Sequence, residues 1–240
     1  MKSTVRKAII IGATSGIGRE LARNLDKGGY ELAICGRREE LLTTLDEELS
    51  LPTIKQKMDI SDQETSMEQL NELFDKMEEV DLVVLNSGIA FLEKDLLWEK
   101  DAAVIDVNVS GFTALAGASF RYFCKQKKGQ FVGVSSLASR RGGPATSYNA
   151  SKAYMSSYLE GMRFHISKRK LPITVTEVRP GFVSTGMAQG NLFWLIKPER
   201  AAKDIYKAII ARKKVAYITP RWRLIAWVLA ILPDSIYHKM

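Results

Sequence analysis

The sequence predicts an α/β fold: one domain, with a parallel sheet of about seven strands covered by helices on both faces. Three observations carry this reading. Short apolar runs at 8–12, 31–36, 53–59, 80–86, 131–135, 173–178 and 215–219 alternate with longer amphipathic segments, which is the pattern of βαβ units. The run 82-LVVL-85 is apolar throughout, as a strand buried on both faces must be. No repeat, low-complexity tract or long linker divides the 240 residues, a length that one α/β domain fills.

The elements follow in order. Residues 8–12 form the first strand, and 17-IGRELARNLDKGG-29 has apolar positions at helical spacing and glycines at its end, a helix with its stop signal. Strands at 31–36 and 53–59 come next, then the strand at 80–86. Long helices at 99–124 and 146–169 flank the strand at 131–135, and strands at 173–178 and 215–219 complete the sheet. A composition of 46% hydrophobic and 26% charged residues excludes disorder. In the N-terminus the charged residues are followed by only four apolar ones before Gly12, too few for a signal peptide. Cys35 and Cys124 sit in apolar contexts, which implies two core thiols in a reducing, cytoplasmic compartment rather than a disulfide. With His165 and His238 in separate places, no metal site is expected.

The segment 9-IIIGATSGIGRELA-22 reads as strand, glycine-rich turn and helix. Gly12 permits a tight turn, Gly16 lets backbone approach a pyrophosphate, and Gly18 lets the helix pack close to the strand. The helix N-terminus supplies orphan N–H groups and a positive dipole end for phosphates. The fold is therefore of Rossmann type, a doubly wound sheet, with Thr14, Ser15 and Ile17 as further cofactor contacts in the same turn. The second strand ends in 34-ICGRREE-40. A free ribose 2′-hydroxyl favours an acid at this place, a 2′-phosphate an arginine. Arg37 and Arg38 stand there, and a guanidinium grips phosphate bidentately. The expected cofactor is NADP(H) rather than NAD(H).

The pair Tyr148 and Lys152 in 148-YNASKAY-154 lies on one face of a helix. Its weight comes from position. From about residue 5 to 219 the order of motifs resembles the short-chain dehydrogenase/reductase family. The loop 12-GATSGIG-18 resembles the family's glycine motif, with Ile11 in place of the usual Thr. Then come 59-DI-60, 86-NSG-88 with Ser87 in place of Ala, 107-VNVSG-111, 134-VSS-136, 148-YNASK-152 and 179-RPGFVST-185. The resemblance implies that Asp59 and Ile60 hold adenine and that Asn86 and Gly88 line the cofactor. Tyr148 is then the general acid in carbonyl reduction, or the base in alcohol oxidation. Lys152 holds the nicotinamide ribose and lowers the phenol pKa. Asn108 supports Lys152 through a water. A serine orients the substrate carbonyl: the family's spacing points to Ser135, while the local pattern 136-SLAS-139 points to Ser136, the favoured one. Pro180 and Gly181 turn the chain, backbone near Val183 reads the carboxamide, and Thr185 touches a phosphate. Residues 186–197 form the substrate cover, with Phe193 and Trp194 facing an apolar substrate. The activity so implied is transfer of a hydride between nicotinamide and a lipophilic ketone or aldehyde, or the matching alcohol. The alternative is a dinucleotide-binding regulatory or scaffold protein without chemistry, which would be expected to have lost one of Asn, Ser, Tyr or Lys; all are present.

Residues 1–219 make up this domain and 220–240 an apolar extension of it. Nine Lys/Arg against Asp204 and Asp234 from Arg200 onward point to an anionic partner. The run 224-LIAWVLAIL-232 is nine apolar residues, far short of the roughly 20 that span a bilayer. It is open to three uses: an oligomer contact, a cover for the pocket, or peripheral membrane contact through 221–232. No nucleic-acid motif accompanies the basic tail. A homodimer or homotetramer is expected from the long helices at 99–124 and 146–169.

Overall fold

The structure is a computed structural model that describes residues 5–92, 94–184 and 194–237. Thr185, Phe193 and the cover residues 186–193 fall outside the described residues, as does His238. Seven strands form one parallel sheet: β1 (Arg6–Ile11), β2 (Tyr30–Gly36), β3 (Thr53–Lys57), β4 (Leu82–Leu85), β5 (Gly129–Val134), β6 (Ile173–Pro180) and β7 (Val215–Ile218). Their order is β3-β2-β1-β4-β5-β6-β7. The order reverses between β1 and β4, and the crevice beyond the strand ends at such a switch point is where ligands bind in this class of sheet.

Alternation along the strands divides the core in two. Ile10, Leu32, Ile34 and Val84 face helices α1 (Gly16–Lys27) and α7 (Pro198–Ile210). Ile9, Ile11, Ala33, Val83 and Leu85 face α3 (Gln63–Met77), α5 (Phe112–Gln126) and α6 (Thr146–Arg169). α2 (Glu39–Asp46) adds Leu42 and Leu45 to the first half. Asp62 caps α3 by accepting the Thr65 N–H, which satisfies one orphan donor. Gly29, at φ +77°, releases the chain from α1 into β2.

The helix expected at 99–124 is interrupted. α4 (Trp98–Ile105) runs into a π-helical turn (Asp106–Gly111) before α5 resumes. The wider turn carries Asn108 and brings Gly111 against the Ile60 carbonyl, where a Cβ would collide. Such insertions are frequent at functional sites. The whole run from Trp98 to Gln126 is long and apolar enough to cross a membrane by length and composition. Phe112, Leu115, Ala116 and Phe123 nevertheless lie fully in the second core half, so it is the core helix of an α/β domain.

Beyond β7, α8 (Arg221–Ile231) and the short α9 (Asp234–Tyr237) return to the strand ends. Although α8 is apolar on all sides, its faces have different neighbours. Trp222 and Ala226 are buried with Leu137, and the Trp222 indole occupies the space a side chain at position 181 would need. Leu224, Trp227, Val228 and Ile231 form the opposite, exposed stripe.

Candidate active site

A cavity of about 850 Å³ opens along the C-terminal ends of the strands. The glycine turn after β1 and the Arg37–Arg38 pair after β2 line one end; Ser136, Tyr148 and Lys152 line the other.

At the first end, Gly12 has φ +93°, and a Cβ there would lie 2.7 Å from the Ser87 nitrogen. Gly16 has φ +57°. Both are left-handed backbone that glycine adopts readily. A methyl on Gly18 would strike the Gly12 carbonyl and reach 2.7 Å from Asn86 Nδ2, so the third glycine does bring helix against strand. Asn86 Nδ2 donates to the Gly12 carbonyl at 2.9 Å, which ties the turn after β4 to the turn after β1. Ile11 is core, so its departure from the family's Thr leaves the turn intact. The two arginines separate: Arg38 donates to Thr14 Oγ1 (2.7 Å) and Ser15 Oγ (2.8 Å), while Arg37 is exposed at the cavity edge. Met58, Asp59 and Ile60 line the cavity beside them, and Asp59 accepts from the Ser61 N–H and hydroxyl.

At the second end, α6 presents Tyr148 and Lys152 on one face. The Tyr148 phenol shares a hydrogen bond with Ser136; burial holds the phenol above its ordinary value, and the Ser136 contact opposes that. Lys152 is 4% exposed. Its Nζ donates to the Val134 carbonyl at 3.0 Å and sits 3.3 Å from Met155 Sδ. Burial pushes this ammonium down to about 7, and it lies 5.5 Å from the Tyr148 ring centroid. The Tyr148 hydroxyl is held by Ser136.

The serine pair is divided by the strand's own alternation. Ser136 has extended backbone (φ −165°, ψ 162°), so successive side chains point to opposite sides. Ser136 meets Tyr148 and accepts the Ala138 N–H at 3.1 Å. Ser135 turns inward, 3% exposed, and donates to Glu177 Oε1 at 2.9 Å. Asn108 is buried by the π-turn. Its Nδ2 donates to the Ile89 carbonyl (2.8 Å) and to Ser151 Oγ (3.1 Å), and its Oδ1 accepts the Ile89 N–H (2.9 Å). Asn108 Oδ1 and Lys152 Nζ flank Gly88 from two sides, each 3.3 Å from where its Cβ would be. Pro180, Gly181 and Val183 line the cavity below them, and Val183 forms a parallel bridge with Ile196.

Sequence reasoning missed two features, Glu177 and the tie made by Asn149, and had left open whether the C-terminal segment covers the pocket. Glu177 stands fully buried behind Ser135. Asn149 Nδ2 donates to the Arg141 carbonyl at 2.8 Å, fixing the loop before α6. The C-terminal segment closes onto that loop: Arg141 bonds the Leu232 carbonyl and Asp234, and Tyr237 donates to the Gly142 carbonyl and lines the cavity. Cys35 is buried, with its thiol pushed up to about 12, so it is inert packing. Among the described residues no cluster of metal-ligating side chains occurs.

The family model for the short chain dehydrogenases matches residues 6–194. The chain is 31% identical over 243 residues to an uncharacterized oxidoreductase of Myxococcus xanthus, covering 97% of this chain and 94% of that protein. It is 29% identical over 257 residues to dehydrogenase/reductase SDR family member 7B of Xenopus tropicalis, covering 96% and 82%. In fold it is similar to a short chain dehydrogenase from Burkholderia cenocepacia solved in complex with NADP, with TM-score 0.83, 22% identity, and 100% and 98% coverage. The chain belongs to the short-chain dehydrogenase family, a class of oxidoreductases.

Proposed function

We propose that the protein is an NADP(H)-dependent oxidoreductase acting on a lipophilic ketone or aldehyde, or on the corresponding alcohol. The observation that carries this reading is the hydrogen-bonded Ser136–Tyr148 pair in the same cavity as the glycine turn and the two arginines. When bound, the dinucleotide supplies or accepts the hydride. Its pyrophosphate fits the turn at Gly12–Gly18, with Thr14, Ser15 and Ile17 beside it; Asp59 and Ile60 fit adenine, and Asn86 and Gly88 the ribose side. Arg37 is the guanidinium placed to meet a 2′-phosphate, and Arg38 holds the turn that receives it.

In reduction, the Ser136 hydroxyl donates to the substrate carbonyl and fixes it. As the carbonyl carbon takes the hydride, Tyr148 gives its proton to the oxygen and becomes phenolate. Oxidation of the alcohol runs the same transfers backwards. Lys152 would hold the nicotinamide ribose and, with its ammonium charged, stabilise the phenolate, and Asn108 fixes Ile89 and the Ser151 end of the helix behind it. Phe91, Leu92, Leu137, Phe182 and Tyr237 around the cavity favour an apolar substrate. The direct test is a panel of ketones, aldehydes and alcohols of rising chain length with each cofactor pair. Arg37→Ala is expected to raise the NADPH KM roughly 10–100-fold, the equivalent of one or two charge-assisted hydrogen bonds, and to leave the NADH KM within a factor of two. An unchanged NADPH KM removes Arg37 from cofactor choice.

The outer stripe of α8 supports a lipid partner. Leu224, Trp227, Val228 and Ile231 are exposed on the helix that Arg221 and Arg223 begin, and the helix carries no acid. The composition suits the interface of an anionic membrane. At about 16 Å long and 10 Å wide, α8 alone falls well short of the roughly 800 Å² per partner of a stable dimer. The homodimer or homotetramer is better sought on α6, where Phe164 is exposed. The full chain is expected to sediment with vesicles containing an anionic lipid and not with purely zwitterionic ones. Leu224→Ser/Trp227→Ser should abolish that binding without changing turnover of a soluble ketone. If the wild type stays in the supernatant with every vesicle at low salt, α8 has another use.

A further inference from the structure

Glu177 sits in the middle of β6 with its side chain fully out of water. Oε1 accepts from Ser135 Oγ (2.9 Å), Ser156 Oγ and Arg179 Nε (2.6 Å), and Oε2 accepts from Arg179 (2.9 Å). Arg163 approaches at 3.9 Å, and Arg179 also donates to the Tyr217 hydroxyl at 2.8 Å. One carboxylate thus joins β5, β6, β7 and α6. Burial alone would raise its pKa; the Arg179 and Ser156 hydrogen bonds, the Arg179 charge and the Ser135 hydrogen bond outweigh this and hold it below the usual range. As glue this is a poor choice, because a buried ion pair is often no more stabilising than apolar residues of the same volume. What a charge network adds is a fixed register.

We propose that Glu177 is a positioning residue that sets the Ser136–Tyr148 contact by tying the serine strand end to the helix bearing Tyr148 and Lys152. The proposal rests on the reading of Tyr148 as the proton donor. Each tie is one step from a reacting group. Ser135 is bonded in sequence to Ser136, and the extended backbone between them converts the inward anchor of one into the outward aim of the other. Ser156 lies four residues after Lys152 and eight after Tyr148, on the same face of α6, one turn and two turns on. Ser136 is also the group that opposes burial at the phenol, so a displaced Ser136 changes the ionisation of Tyr148 as well as the aim of the substrate carbonyl.

The test removes both charges at once with Glu177→Leu/Arg179→Met, and separately cuts the helix tie with Ser156→Ala. Four quantities are read: melting temperature, NADPH affinity by fluorescence, kcat on a small ketone, and the ultraviolet titration of Tyr148, taken as the difference between each protein and its Tyr148→Phe derivative. The double variant is expected to melt within a few degrees of wild type and to bind NADPH within twofold. Its kcat should fall tenfold or more, and Tyr148 should titrate at higher pH. Ser156→Ala should lower kcat at least threefold, which keeps the proposal open to refutation even if the double variant does not fold. Wild-type kcat with an unmoved Tyr148 titration in either folded variant overturns it. If the wild type transfers no hydride to any carbonyl, the proposed activity fails on its own, and the titration still decides the role of Glu177.

Discussion

Tyr148→Phe is expected to reduce turnover about a thousandfold, within the 10²–10⁴ range that a positioned proton donor contributes. The substitution removes one oxygen from the cavity wall and leaves Lys152, Asn108 and the glycine turn in place. NADPH affinity should therefore stay within about twofold, so the loss falls on kcat. The pH dependence has a definite sign. Carbonyl reduction needs Tyr148 protonated, and burial holds the phenol above its ordinary value. The reduction rate of the wild type should decline as pH rises, first as Lys152 loses its proton at about 7 and then as the raised phenol of Tyr148 ionises. Alcohol oxidation needs the phenolate and should climb with pH over the same range. Steady-state rates at 340 nm in both directions, with fluorescence titration of NADPH, give all of these quantities. A variant retaining more than a tenth of wild-type kcat would end the assignment of Tyr148 as proton donor.

The sheet was legible because each strand is a short apolar run between helices, and its two-sided burial shows in sequences such as 82-LVVL-85. The glycine turn was legible for a related reason. Gly12, Gly16 and Gly18 answer steric demands that few other residues meet, and the structure locates two of those demands at Ser87 and at the Gly12 carbonyl. The serine pair was only half legible. Spacing and local pattern disagreed, and the decision comes from extended backbone that sends Ser135 to Glu177 and Ser136 to Tyr148. The π-turn at 106–111 was invisible, because one added residue in an apolar helix leaves the periodicity nearly unchanged. Glu177 was passed over because a single acid in the strand run 173-ITVTEV-178 belongs to no motif; its partners Ser135, Ser156 and Arg179 come together only in the fold. In α8, every position is apolar after Arg223, so hydropathy could not rank its faces. The contact of Trp222 with Gly181 does.

Lys152→Met is expected to inactivate the enzyme and to make the cofactor-free protein more stable near neutral pH. Lys152 is buried, and among the described residues its Nζ bonds the Val134 carbonyl and Met155 Sδ; burial lowers its pKa from 10.5 to about 7. At 1.36 kcal/mol per decade, that difference is roughly 4–5 kcal/mol, an upper bound on the strain of charging the group in place. The sign follows from proton counts. Between about pH 7 and 10.5 the unfolded chain holds a proton that the folded chain has released, so this group makes stability rise with pH. Below about 7 both states hold the proton and the full penalty is present. Methionine has similar length, no charge to desolvate, and Met155 for a neighbour. The variant should melt several degrees above wild type at pH 6.5, since 1 kcal/mol moves a domain of this size by about 2–4 °C. The advantage should shrink towards pH 10, leaving the lost Val134 hydrogen bond, worth about 1 kcal/mol. Thermal melts of both proteins across that range, without added nucleotide, measure it. A variant less stable than wild type at pH 6.5, or equally favoured at pH 6.5 and 10, would show that Lys152 is not a strained charge. If the melts run as expected, the fold carries a buried ammonium that weakens it, which supports the proposed role of Lys152 beside Tyr148 and the nicotinamide ribose.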